Sequence, residues 1–163
     1  MIELKKISIL DDNMRECIAL DIAPEKKDFV YPNSIALALA YNYNKRGNPM
    51  DCYAVYAESK MVGLISYNYY VGDPVFKEPR YRIRPFTVDK NHLGKGYEQS
   101  ALQELLAVIR TKPHGEATAI FATYDPAEED MAKIYESAGF VKTDMTFEAE
   151  DPDDNDIIVR MSM

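Results

Sequence analysis

Phe86-Thr87-Val88-Asp89, then Leu93-Gly94-Lys95-Gly96-Tyr97-Glu98, is the stretch that decides how this chain is read. The first four residues close a strand that begins near Arg80. Gly94 and Gly96 make a turn, and a helix follows to about Arg110, with Leu102, Leu105, Leu106 and Ile109 recurring at helical spacing. Glycine lets the backbone approach a ligand closely, and the first N–H groups of a helix have no partner inside it. Those N–H groups and the helix dipole together suit a pyrophosphate. A strand, a glycine loop and a helix in this order therefore predict an anion-binding turn.

Upstream, Ile2–Leu10 reads as an opening strand, and Asp11-Asp12-Asn13 offers capping side chains for a helix from about Met14 to Leu20. Residues 21–32 hold two prolines and read as a loop or short helical turn. Asn33 and Ser34 are placed to cap a second helix running to about Asn44, stopped by Gly47-Asn48-Pro49. Cys52–Ala57 and Val62–Tyr70 read as an antiparallel hairpin around Glu58-Ser59-Lys60. In Arg80–Asp89 the apolar register shifts at Arg84-Pro85, as a bulge requires.

Downstream, Thr118–Thr123 is a short apolar strand, and Asp125-Pro126 opens a helix to about Ser137 that Gly139 stops. Phe140–Glu148 and Ile157–Met161 are the last strands, joined by an acidic turn, Glu150–Asp156. The order β-α-α-β-β-β-α-β-α-β-β gives an α/β (α+β) fold, with a mixed, mostly antiparallel sheet of six to seven strands and helices on both faces.

The bulk numbers narrow the function. A chain of 163 residues, 47% apolar and 28% charged, fits one globular domain spanning 1–163. A net charge of −8, from 27 acidic and 19 basic residues, speaks against sequence-independent nucleic-acid binding, which needs surplus Lys and Arg. No apolar run approaches the roughly 20 residues of a membrane span, and the first residues lack the pattern of a signal peptide. Two cysteines, Cys17 and Cys52, point to a reducing cytoplasm rather than a disulfide framework. With His92 and His114 they share no metal-ligand spacing, so no metal is expected.

The position of the glycine loop, about 40 residues ahead of Ile134-Tyr135-Glu136-Ser137-Ala138-Gly139-Phe140, gives the chain a resemblance to the GNAT superfamily of N-acetyltransferases. His92 to Tyr97 resembles that family's acetyl-CoA pyrophosphate loop, and Ile134-Tyr135 through Gly139-Phe140 resembles its "LY…GF" segment. Glu25 to Ser34, with Ala36 to Ala40 after it, is similar to a segment of bacterial spermine/spermidine (diamine) acetyltransferases, as is the turn Tyr124-Asp125-Pro126.

The resemblance implies direct attack of a small primary amine, a polyamine or diamine, on the thioester of acetyl-CoA in a ternary complex. It implies that Phe86, Thr87 and Val88 line the pantetheine arm, with the Val88 N–H near the thioester oxygen. Leu93, Gly94, Lys95, Gly96, Tyr97 and Glu98 form the pyrophosphate loop, and Tyr135 is the general acid for the departing thiolate. Glu25 and Asp28 are candidate contacts for the cationic substrate, and a homodimer paired through the last strands is the analogous assembly.

Four positions depart from the family pattern: Leu93 for Gln or Arg, Glu98 for Gly or Ala, Glu128 for an Asn that contacts the coenzyme, and Met131 for Ala. Two carboxylates added near a polyanion weaken its binding. The alternative reading is thus a GNAT-fold binding module with weakened or lost acetyl-CoA affinity.

Overall fold

A computed structural model describes residues 1–72, 77–84, 86–145 and 156–163. The strands are β1 (Ile2–Lys6), β2 (Met50–Ala57), β3 (Lys60–Tyr70), β4 (Arg80–Ile83), β5 (Thr87–Val88), β6 (Ala119–Tyr124), β7 (Val141–Lys142) and β8 (Ile157–Ser162). The α-helices are α1 (Asn13–Ala19), α2 (Asn33–Lys45), α3 (Tyr97–Arg110) and α4 (Glu129–Ser137). One eight-stranded sheet runs β1-β2-β3-β4-β6-β8-β7, with β5 paired to β3 beside β4. Every pairing is antiparallel except β4 with β6. The α/β fold is as the sequence predicts. The strand count exceeds the expected six to seven because the Arg80–Asp89 segment divides in two.

That division is the predicted bulge. Tyr67 faces Ile83 and Leu64 faces Thr87, so four residue steps on one side match three on the other. The extra residue reverses the strand's alternation. Arg84 and Thr87 would take opposite faces of a regular strand, yet both line the same cleft.

Each face of the sheet carries its own core. On one, α3 buries Ala101, Leu102, Leu105, Leu106 and Ile109 against Val55, Ile65, Tyr67, Tyr81, Ile83 and Ile120. Each such aliphatic contributes roughly 1.5–3 kcal/mol by leaving water. On the other, Cys17 of α1 and Ala40 of α2 pack on Met50, Cys52, Ala54, Met61 and Leu64. Both cysteines are free, and burial pushes each thiol up to about 12, so neither is a reactive thiolate.

Several boundaries move, each for a physical reason. The β2–β3 turn needs only Glu58 and Ser59, both at positive φ (49° and 68°), the signature of a two-residue hairpin. Asp12 occupies the N-cap of α1 without a capping bond from its side chain, while Asn13 accepts from Ser8 N at 2.8 Å and donates to Lys6 O at 3.0 Å. Asn33 does not cap α2 either. It is 3% exposed, donates to Cys17 O at 2.8 Å and accepts the Thr87 hydroxyl at 2.6 Å, locking β5 to both helices of that face. Asp125 caps a turn through Ala127 N at 2.7 Å, so α4 starts three residues beyond Pro126. The acidic turn, Asp156 apart, falls outside the described residues, as does residue 148 at the end of the predicted Phe140–Glu148 strand.

Among the described residues no helix is long and apolar enough to cross a membrane, and no three His, Cys, Asp or Glu side chains gather as metal ligands.

Candidate active site

The parallel ladder between β4 and β6 covers three residue pairs and ends at Arg82 opposite Phe121. Beyond it β5 pairs only with β3, while β6 runs on to Tyr124 beside β8. The two chains part at their C-terminal ends, where ligands enter sheets with parallel strands. Asp89 N donates to Val62 O at 2.8 Å, toward β3. Alternation along an extended strand turns the Val88 N–H the opposite way, into the gap before β6.

Close approach holds β5 there. A Cβ on Gly63 of β3 would lie 2.3 Å from Thr87 O and 3.1 Å from the Phe86 ring, so no larger residue fits. Asp89 ends the segment: its carboxylate accepts Asn91 N at 2.9 Å and Asp21 N at 3.0 Å. Burial pushes its pKa up, but the bonds from Asp21 and Asn91 together outweigh it and hold the carboxyl below the usual range.

The glycine loop has the geometry its sequence predicts. Gly94 and Gly96 stand at φ +70° and +73°, with nothing within 4 Å of where a Cβ would be. Gly96 is the N-cap of α3, and no side chain caps the helix's first turn. Open space therefore meets unpartnered N–H groups of a 14-residue helix, which is the donor set a pyrophosphate needs. Lys95 is exposed, with Nζ 3.4 Å from His92 Nδ1. Leu93, Tyr97 and Glu98 are half-buried, and Glu98 makes no ion pair with a described residue.

Tyr135 lies on α4 at the far side of the gap. It is 2% exposed, stacked on Tyr124 (centroids 6.1 Å) and edge-on to Phe140 (5.3 Å). The Tyr135-to-Phe140 motif is a Schellman turn. Phe140 N donates to Tyr135 O and Gly139 N to Glu136 O, both at 3.0 Å, with Gly139 at φ +97°. The Phe140–Tyr135 ring contact is the apolar pair that accompanies this cap. Burial, and secondly the charge of Glu128, raise the Tyr135 phenol well above its ordinary value near 10. It stays protonated at neutral pH. Its hydroxyl bonds no described residue.

Glu128 sits at the N-cap of α4 with its side chain 10% exposed, and Lys26 Nζ lies 3.3 Å from its Oε1. Lys26 belongs to a short 3₁₀ turn, Pro24–Lys26, that follows the bridge between Ile22 and Asp89. The ion pair thus crosses from the β5 side of the gap to the β6 side. Glu25 and Asp28 are exposed and make no ion pair with a described residue. Met131 is half-buried against the α3 core.

Sequence reasoning missed Lys26, Asn33 and Arg84. The first two act across 102 and 54 residues, and nothing local marks them. Arg84 did carry a signal, since Arg80, Arg82 and Arg84 alternate along one strand.

The family model for the acetyltransferase (GNAT) family matches residues 17–140, three quarters of the chain, from α1 to the close of the Schellman turn. The chain belongs to the acetyltransferase (GNAT) family. Solved GNAT structures share the fold at low identity. Ribosomal-protein-alanine N-acetyltransferase from Brucella melitensis is 13% identical, with a TM-score of 0.69 and 99% of both chains covered. An N-acetyltransferase from Staphylococcus aureus Mu50 is 15% identical at 0.67, covering 99% of this chain and 98% of its own. PaiA N-acetyltransferase from Thermoplasma acidophilum, solved in complex with coenzyme A, is 14% identical at 0.64, covering 100% and 99%. No curated protein matches significantly. As a GNAT acetyltransferase the chain takes acetyl-CoA as cosubstrate, and the uncapped α3 terminus beside Gly94 and Gly96 fits that ligand's pyrophosphate.

Proposed function

We propose that this GNAT acetyltransferase transfers acetyl from acetyl-CoA directly to a small primary amine in a ternary complex, within one domain. The observation that supports the reading is the uncapped, open turn of α3 at Gly94 and Gly96, together with the Asp89 N–H bond to Val62 O, which by alternation leaves the Val88 N–H facing away from β3. Bound acetyl-CoA supplies the acetyl group as an activated thioester. Phe86, Thr87 and Val88 line the pantetheine arm, and Val88 N–H donates to the thioester oxygen, where a single such donor is worth about 10²–10³ in rate. The N–H groups of Gly94, Lys95, Gly96 and Tyr97 hold the pyrophosphate, with Leu93 packed beside them. Tyr135 gives its proton to the departing sulfur. The attacking ammonium, with a pKa near 10.4, loses one proton before attack, to water in the gap or to a carboxylate not yet assigned. The nitrogen's second proton, shed as the C–S bond breaks and the amide forms, returns by way of water to the Tyr135 phenolate.

The reading of the chain as a binding module rests on Glu98 and Glu128. Lys26 balances Glu128, which leaves Glu98 as the uncompensated carboxylate at the loop. The test is calorimetric titration of acetyl-CoA with thiol-release assays on a panel of amines. Micromolar binding and turnover support the enzyme, and absence of binding overturns it in favour of the module.

A polyamine is the narrower acceptor that Glu25–Ser34 suggests, and the net charge of −8 agrees with it. Against it, Glu25 and Asp28 face solvent, and among the described residues the only charged group lining the cleft beside Thr87 is a cation. A cytoplasmic location, in keeping with two free buried cysteines, and a homodimer complete the proposal. Light scattering tests the latter.

A further inference from the structure

A narrow cleft opens to solvent between α2 and the β4–β5 segment, its interior offering about 20 Å³ to a water-sized probe, the room of one or two waters. Ala36, Leu39, Met50 and Leu64 make an apolar wall, Tyr31 stands at the margin, and Arg84 and Thr87 close the other side. Thr87 precedes the residue whose N–H enters the gap, so the cleft adjoins the acetyl-transfer position.

Arg84 is held by neutral groups. Its Nε donates to Asn68 Oδ1 at 2.5 Å, its Nη2 to Tyr70 OH at 2.9 Å, and its guanidinium lies 4.8 Å over the Tyr43 ring. Tyr43 in turn packs edge-on to Tyr70 at 6.3 Å. These contacts fix the plane and leave Nη1 with no hydrogen bond and the charge with no carboxylate among the described residues. A half-buried cation without a counter-ion is costly, and a fixed guanidinium fork matches a carboxylate.

We infer that the acceptor of this acetyltransferase is a small amino acid that sits over the mouth of this cleft, with its carboxylate docked on Arg84 and its amine toward Val88. Arg84 is then a specificity-determining residue, and cationic polyamines are disfavoured. The inference rests on the acetyl-transfer reading above.

Thiol release is measured on matched pairs: leucine against 3-methylbutylamine, methionine against 3-(methylthio)propylamine, and spermidine. Amine pKa differs within each pair, so the readout is the kcat/KM ratio of each pair in the natural protein against the same ratio in Arg84→Gln. Loss of one charge-assisted contact lowers that ratio by about 10- to 100-fold. Arg84→Lys restores part of it, and acetyl-CoA affinity, followed by calorimetry in each variant, reports that the fold is intact. A ratio unmoved by Arg84→Gln overturns the inference, as does spermidine turnover at or above that of both amino acids, with the acetyl-transfer reading left standing. No heat on titrating acetyl-CoA and no thiol release from any amine would sink both.

Discussion

Lys26 Nζ and Glu128 Oε1 sit 3.3 Å apart although 102 residues separate them in the chain. The contact joins the turn before α2 to the N-cap of α4, spanning the place where β5 and β6 part.

This pair sets a first prediction. Lys26→Met leaves the Glu128 carboxylate unbalanced beside the path of a polyanion, so acetyl-CoA binds more weakly. Lys26 is a third exposed, so solvent limits the effect to about 1 kcal/mol, or roughly fivefold in Kd. Glu128→Gln in the Lys26→Met background restores affinity. Calorimetry on the two single variants and the double variant measures the coupling, and additivity would show that the two side chains do not communicate.

Tyr135→Phe separates chemistry from packing. The ring keeps its place between Tyr124 and Phe140, and the lost hydroxyl had no hydrogen bond to a described residue. Stability and acetyl-CoA affinity should hold while kcat falls about 100-fold. The raised phenol keeps its proton, so turnover should not decline through Tyr135 below about pH 10. The linked stability has the same sign. The folded state retains a proton that the unfolded chain releases, so stability is whole below about pH 10 and is lost above it. A kcat equal to that of the natural protein would assign Tyr135 to the core alone.

Gly63→Ala tests the placement of β5. Its methyl would meet Thr87 O at 2.3 Å, and this atom is backbone that cannot swing aside. We expect a loss of about 1–3 kcal/mol, seen as a lower Tm, together with weaker acetyl-CoA binding as β5 shifts. Alanine accepted with no change in either would mean that β5 is looser than described.

At the opposite end of the sheet Asp51 is a buried anion with three partners: Lys6 Nζ at 2.6 Å, Tyr67 OH at 2.8 Å and His114 Nε2 at 2.8 Å. Burial alone would raise its pKa, but the hydrogen bonds from Lys6, Tyr67 and His114 hold it below the usual range. The unfolded chain binds the proton first, so this contribution is present above about pH 4 and fades as pH falls. Lys6 runs the other way. Its pKa is raised chiefly by its bond to Asp51, so its contribution holds below about pH 10.5 and is lost above. Asp51→Asn should cost about 2–4 kcal/mol, or roughly 4–16 °C in Tm. The deficit against the natural protein should shrink in acid melts.

The parts legible in the sequence were those set by neighbours along the chain. Leu102, Leu105, Leu106 and Ile109 face the core as their spacing requires, and a one-residue register shift falls between Ile83 and Thr87. Gly94 and Gly96 adopt the positive φ that their place in the turn before α3 suggests. Distant partners decided the rest. Asn33 looks like a helix cap until Cys17 O and Thr87 Oγ1 claim its amide, and Asp125 does cap a turn, but one that delays α4. Glu25 and Asp28 are the right chemical type for a cation yet face solvent, while Lys26 between them reaches Glu128. The register that places Arg84 beside Thr87 depends on an extra residue whose facing no pattern of apolar residues reveals.

The Schellman turn at Gly139 bears on how such chains are sorted. Tyr135 and Phe140 are coupled because one backbone amide and one ring pair finish a helix, and that need exists whether or not any thiolate leaves nearby. A variant that had lost all turnover would keep this signature merely to stay folded. Spotting it in a genome therefore counts scaffolds, and the census of working catalysts has to be taken at the amide edge of β5 instead.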